Sequence, residues 1–369
     1  MTLIDADAGR MRAALGLARR GLGRVWPNPA VGCLIVDGDR VVGRGRTADG
    51  GRPHAEAAAL AEAGPAARGA TAYVTLEPCA HTGRTPPCAD ALIAAGIARV
   101  VSTVEDPDPR VAGAGFAALR AAGIEVVTGC LAAEAEDLNA GFLSRVRTGT
   151  PRLTLKLAAS LDGRIATASG ESRWITGPRA RAEVHMMRAR SDAVLVGAGT
   201  ARTDDPRLDV RGLGMTGADP VRVVVSGGLT LPRGGALGTT ARDIPLWLCH
   251  HREAEAEHRA AWRGTGAELL EIPFQDDGQL DLSALMRVLG DRGLTRVLCE
   301  GGGRLSAALL EAGLVDEVVL YTAGVALGDE GTPAIGSLRV DALAEAPRLR
   351  LVDTARIGDD TRSRWIAAR

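Results

Sequence analysis

Apolar residues recur along this chain with two alternating spacings. One, near 3.6, marks helices; the other, near 2 or as short unbroken runs, marks strands. In the first half the helical spacing falls at 11–18, 54–63, 88–95 and 113–122. Between these, 72–76, 99–104 and 124–127 read as short strands, and 30–36 with 40–43 as a hairpin turned at Asp37-Gly38. The alternation predicts a layered α/β domain with a mixed sheet. From Asn139 the pattern changes: the stretch from Arg145 to Pro151 is basic and turn-rich, and a fresh strand, 153–158, follows. A boundary near residue 148 gives two domains, 1–147 and 148–369. The second alternates again, with strands at 193–196, 222–225, 246–249, 296–300 and 317–321. Helices fall at 179–189, 254–262, 282–289 and 305–311, and the glycine-rich 227–238 reads as a loop.

Length agrees with that division, since 369 residues at roughly 150 per domain make two domains or three. Forty-four basic against 45 acidic side chains leave a formal charge of −1, which removes the clustered basic surplus a nucleic-acid binder needs. Aromatic residues are 3% of the chain, so Ala, Val and Leu must fill the core. No apolar run approaches the roughly 20 residues that cross a bilayer, and residues 1–20 lack the apolar stretch of a signal peptide. Six cysteines spread over the chain suit metal ligation or core filling better than a disulfide framework. The expected setting is the cytoplasm.

The sharpest chemical signal is His54-Ala55-Glu56, followed by Glu77-Pro78-Cys79 and then Cys88. A catalytic zinc takes three protein ligands, soft thiolates and imidazole among them, and keeps one position for water. His54, Cys79 and Cys88 supply such a set. His54 and Cys88 stand where helices are predicted to begin, which favours thiolate and developing hydroxide. Glu56, two residues from His54, suits a proton carrier that does not touch the metal, as in zinc deaminases. A structural zinc with His81 as fourth ligand is the bland alternative. Cys33, Cys249 and Cys299 lie inside apolar strands and read as core. In the second half, two glycine turns follow strands, at 196–200 and 300–304, where backbone N–H groups could approach a pyrophosphate. Arg202 stands where a dinucleotide fingerprint needs its third glycine, so a standard Rossmann site is not expected.

Nearly the whole chain resembles the bifunctional deaminase–reductase family of riboflavin biosynthesis. The marks are Pro27-Asn-Pro-Ala-Val-Gly-Cys33, Pro53-His-Ala-Glu56, Thr75-Leu-Glu-Pro-Cys79 and Gly83-Arg-Thr-Pro-Pro-Cys88. Lys156-Leu-Ala-Ala-Ser-Leu-Asp-Gly-Arg164, Gly170-Glu-Ser-Arg-Trp-Ile-Thr176 and Asp204-Asp-Pro-Arg-Leu208 follow in the second half. The resemblance implies an α/β architecture with a cytidine-deaminase-like three-layer domain and a dihydrofolate-reductase-like domain. It implies zinc-dependent hydrolytic deamination of 2,5-diamino-6-(5-phosphoribosylamino)pyrimidin-4(3H)-one, then NADPH-dependent reduction of the ribosyl group to ribityl.

Carried over by position, His54, Cys79 and Cys88 bind Zn2+ and Glu56 is catalytic. Asn28, His81 and Arg84 meet the substrate. Ala158, Trp174, Thr200, Asp204, Ser226, Gly302, Gly303, Arg304, Leu305, Ser306, Ala307 and Ala308 line NADPH. Ser172, Arg188, Leu208, Arg211 and Glu300 hold the ribosyl substrate. One departure is visible: Thr47 stands where the family usually has a histidine upstream of His-Ala-Glu. The implied partner is a small phosphoribosyl pyrimidine, with no nucleic acid or membrane, and the family commonly forms homo-oligomers. Two competing readings are a nucleic-acid base deaminase fused to an unrelated reductase, and a structural zinc module tethered to a reductase.

Overall fold

The computed structural model describes residues 5–81, 86–275 and 278–368. The chain divides into two compact units, Met1–Gly149 and Thr150–Arg369.

The first unit runs α1 (Asp5–Arg19), β1 (Gly32–Asp37), β2 (Arg40–Arg46), α2 (Ala55–Ala63), β3 (Thr71–Val74), α3 (Cys88–Ala94), β4 (Arg99–Ser102), α4 (Ala114–Ala121), β5 (Glu125–Val127) and α5 (Ala132–Thr148). Its sheet has the order β2-β1-β3-β4-β5, antiparallel up to β3 and parallel beyond it. Successive strand residues point to opposite faces, and both faces are covered. Leu34, Val36, Tyr73 and Val101 pack with Met11 and Leu15 of α1 and Leu138 of α5. Cys33, Ile35, Ala72, Val74 and Val100 pack with Ala55 and Ala59 of α2, Leu92 of α3 and Leu119 of α4. Three layers result. The helix α2 lies close to β2 because Gly45 lacks a side chain: a Cβ there would stand 2.1 Å from the Ala55 carbonyl oxygen.

The second unit runs β6 (Arg152–Ser160), β7 (Arg164–Ala166), α6 (Pro178–Ala189), β8 (Ala193–Gly197), α7 (Ala198–Asp204), β9 (Val221–Val225), α8 (Ala236–Thr239), β10 (Leu246–His250) and α9 (Ala256–Thr265). It continues through β11 (Glu268–Glu271), α10 (Leu282–Asp291), β12 (Arg296–Cys299), α11 (Gly303–Glu311), β13 (Glu317–Ala323), β14 (Thr332–Pro333), β15 (Leu349–Ile357) and β16 (Asp360–Ala367). The large sheet has the order β11-β10-β9-β8-β12-β6-β13-β16-β15. It is parallel from β11 to β13, and the hairpin β15–β16 joins antiparallel at the end.

Two expectations need correction, and one element was not foreseen. Residues 145–148, read as part of a turn-rich linker, form the last turn of α5, and Gly149 in the left-handed region ends it. The glycine-rich stretch 227–238 runs into the short helix α8. The terminal hairpin escaped notice because β15 is exposed along most of both faces and shows no alternation. No helix among the described residues is long and apolar enough to cross a membrane.

Candidate active sites

His54 immediately precedes α2 with an extended backbone, and its side chain makes no cap hydrogen bond to the helix. Cys79 follows β3, and Cys88 opens α3 after Pro87. Their side chains meet: His54 Nδ1 lies 3.3 Å from Cys88 Sγ and 3.6 Å from Cys79 Sγ. Zinc bonds of about 2.0–2.1 Å to nitrogen and 2.3 Å to sulfur set tetrahedral N···S edges near 3.6 Å, so the donor set fits that ion. All three ligand atoms lie within 4.8 Å of one another, and among the described residues no fourth His, Cys, Asp or Glu joins the group. His81 is outside it, which removes the closed structural site as this arrangement's reading.

The Cys88 backbone N–H donates to Cys79 Sγ at 3.3 Å. Cys79 is brought down to about 4 by its hydrogen bond with Cys88 and then by His54, while Cys88 is pushed well up by the same shared bond and by burial. The hydrogen bond with Cys79 raises His54. Glu56, in the first turn of α2, is buried beside the cluster and outside it; burial pushes its carboxyl up to about 7.

A cavity of about 330 Å³ opens over these groups, and Asn28, Thr47 and His81 line it. Asn28 is seated against Gly51, where φ is +86° and a Cβ would stand 1.9 Å from Asn28 Nδ2. Thr47 is a bracket for the loop that carries Asn28: its hydroxyl accepts from Val31 N and donates to Pro29 O, both at 3.0 Å. His81 Nδ1 is buried and meets no partner among the described residues. Arg84 lies outside the described residues.

In the second unit the expected residues gather along the carboxyl ends of adjacent parallel strands. Ser226 follows β9, Thr200 sits in α7 after β8, Glu300 follows β12, and Ala158 lies near the end of β6. In open α/β sheets that edge is where ligands bind. Thr200 Oγ1 accepts from Gly302 N at 3.2 Å, which ties the two glycine turns together. Gly302 precedes α11, in which Gly303, Arg304, Leu305, Ser306, Ala307 and Ala308 follow; Ser306 and Ala307 are buried. Trp174 is 66% exposed, with the Arg181 guanidinium 4.6 Å from its ring centre. Asp204 ends α7, and burial raises its carboxyl against the pull of Arg173. Ser172 is half-buried in the loop before α6.

Arg188 is fully engaged. Nε and Nη2 fork onto Glu300 at 2.6 and 3.0 Å, and Nη1 donates to the Asp209 carbonyl at 3.0 Å. It braces Glu300 here instead of presenting an open fork. Lys156 Nζ lies 4.0 Å from the same carboxylate. Leu208 is buried with φ at +56°, and Arg211, about half exposed, pairs with Asp209.

A family model for the RibD C-terminal domain matches residues 151–362, and one for the cytidine and deoxycytidylate deaminase zinc-binding region matches 5–104. The riboflavin biosynthesis protein RibD of Escherichia coli K12 is 45% identical over 365 residues, covering 96% of this chain and 97% of its own. The chain belongs to the RibD family. A solved RibD of Acinetobacter baumannii superposes with a TM-score of 0.88 at 40% identity, covering 98% of this chain and 99% of that one. A Thermotoga maritima structure described as a diaminohydroxyphosphoribosylaminopyrimidine deaminase/5-amino-6-(5-phosphoribosylamino)uracil reductase gives 0.86 at 33% identity, with 98% and 99% covered. The chain is a bifunctional enzyme of riboflavin biosynthesis, with a zinc-binding deaminase domain and an NADPH-dependent reductase domain.

The deaminase cavity also holds residues that no motif in the sequence announced. Arg52, Asp106, Arg110 and Arg145 line it, and burial pushes Asp106 up to about 6. Glu77 accepts four backbone N–H groups, from Asp106, Gly113, Gly115 and Phe116, and so fixes the wall that carries Asp106 and Arg110. A glutamate beside Pro-Cys was a visible signal for Glu77. No spacing could have announced the arginines, which come from three separate loops and helices.

Proposed function

We propose that the first unit replaces an exocyclic amine of 2,5-diamino-6-(5-phosphoribosylamino)pyrimidin-4(3H)-one by oxygen, consuming water and releasing ammonia. The second unit then reduces the ribosyl group of the resulting aminouracil to ribityl. One observation carries the first half: three donor atoms at zinc spacing, with buried Glu56 alongside and not among them. His54, Cys79 and Cys88 hold the metal; zinc supplies there the charge that makes water nucleophilic at neutral pH. Glu56 takes the proton given up by water and returns it to the departing amine, and a carboxyl near 7 suits both tasks. Asn28, His81 and Arg84 orient the pyrimidine and its ribosyl phosphate, with Arg52, Arg110 and Arg145 adding positive charge to the walls.

In the second unit NADPH supplies the hydride. Ala158, Trp174, Thr200, Asp204, Ser226 and the turn from Gly302 to Ala308 seat it along the strand ends. Ser172, Leu208, Arg211 and Glu300 face the ribosyl substrate, and Arg188 holds Glu300 in place. We place the enzyme in the cytoplasm as a homo-oligomer; its six unpaired cysteines suit a reducing compartment.

The test is Glu56→Gln. Ammonia release is expected to fall at least about 100-fold. Zinc content and NADPH oxidation on the deaminated substrate are expected to persist. Retained ammonia release would remove Glu56 from the reaction.

A further inference from the structure

In the reductase unit, Leu208 holds a left-handed backbone that a branched side chain rarely adopts, so neighbours must keep it there. The segment 208–211 is held at each residue beyond it. Arg188 donates to the Asp209 carbonyl at 3.0 Å, and Asp219 accepts from Val210 N at 2.7 Å. His185 Nδ1 accepts from Arg211 N at 3.4 Å, and the backbone of Asp209 faces the same ring as an acceptor. His185 and Arg188 stand three apart on α6, on one helix face, and together grip this segment from one side. None of the chemistry assigned so far uses His185.

We propose that His185 is a positioning residue of the reductase site. Its neutral ring holds the backbone of 208–211 so that Arg211 is aimed at the anionic end of the ribosyl substrate. The proposal rests on the reading of Leu208 and Arg211 as substrate contacts. Only the neutral imidazole can accept at Nδ1; a protonated ring sets one N–H against another and adds a third cation between Arg188 and Arg211. The charged groups that face the ring are Arg188 on its own helix, Arg211 on the segment and Glu300 after β12. Burial, Arg188 and Arg211 keep the ring's pKa below 6.5, against the Asp209 backbone and Glu300. The neutral form therefore prevails at neutral pH, and the bond that Nδ1 accepts from Arg211 N is lost on the acid side.

The experiment is steady-state reductase kinetics on the intact protein with NADPH and the deaminated ribosyl phosphate. Wild type, His185→Phe, His185→Asn and Arg211→Ala are compared between about pH 5 and 8. His185→Phe removes the acceptor and is expected to raise the substrate KM about tenfold, with kcat, the NADPH KM and ammonia release unchanged. His185→Asn places an oxygen near the position of Nδ1 and cannot be protonated. It is expected to keep KM within about threefold of wild type and to lose the rise in KM that wild type shows toward low pH. Should His185→Phe fail to fold, the pH profile of His185→Asn decides alone. Equal profiles for wild type and His185→Asn overturn the proposal. So does a KM for His185→Asn as high as that for His185→Phe. Arg211→Ala with a wild-type KM overturns the underlying substrate reading. A raised KM in Arg211→Ala beside a wild-type KM in His185→Phe overturns the role of His185 alone.

Discussion

Cys79 shows how one side chain depends on its surroundings. Its sulfur takes the Cys88 side-chain hydrogen bond, lies beside His54 and accepts the Cys88 N–H, and these bring it down toward the thiolate that a metal takes. Cys79→Ser exchanges that soft donor for a weakly acidic hydroxyl. It is expected to lose zinc by metal analysis and ammonia release by at least about 100-fold, while NADPH oxidation stays intact. Glu300 carries a pH prediction. Burial alone would raise its carboxyl, yet Arg188 and then Lys156 bring it below the ordinary 4.5. A depressed carboxylate adds stability that is complete above its unfolded value and is lost as pH falls through its folded one. Glu300→Gln is expected to lower stability by roughly 3 kcal/mol at neutral pH, because Arg188 loses its buried partner. The gap to wild type should narrow below about pH 4.5, and parallel melting curves at pH 7 and pH 4 check this. His54, Glu56, Cys79 and Cys88 were legible because their chemistry is tied to short motifs. Arg52, Asp106, Arg110 and Arg145 were not, since only the folded chain brings them to one cavity.

At the scale of elements, α1 is fastened to the first sheet from its polar side. Asp7, fully buried, accepts from Tyr73 Oη at 2.8 Å and from both terminal nitrogens of Arg99 at 3.0 and 2.9 Å. Asp7→Ala leaves Arg99, about one-sixth exposed, with Glu125 at 2.9 Å as its remaining partner and leaves Tyr73 Oη without its acceptor; it should destabilise the first unit by about 1–3 kcal/mol. Denaturant melts followed by ammonia release would show a midpoint shift for the deaminase. An unshifted midpoint would mean that α1 is held by its apolar face alone. The helix was legible only from Met11 onward because residues 5–10 carry no apolar spacing; Asp7 explains why it starts earlier. Buried strands such as β8 and β10 were legible as unbroken apolar runs. The exposed hairpin β15–β16 was not, since solvent on both faces of β15 removes the pattern that strands leave in a sequence.

The whole molecule joins two units, each with its own core, and each unit carries one reaction. Ala, Val and Leu fill the core of each unit, and the turn at Gly149 marks the boundary between them. The two glycine turns after strands were legible, but the contact that ties them, Thr200 of α7 to Gly302, joins residues about a hundred positions apart. Two units with two chemistries predict two products. The most direct measurement gives the purified, zinc-replete protein the diaminopyrimidine ribosyl phosphate and follows product mass with and without NADPH. The expected result is exchange of one amino group for oxygen in either case, with a gain of two hydrogens only when NADPH is present. Unchanged substrate without NADPH, or reduction that precedes loss of ammonia, would contradict it.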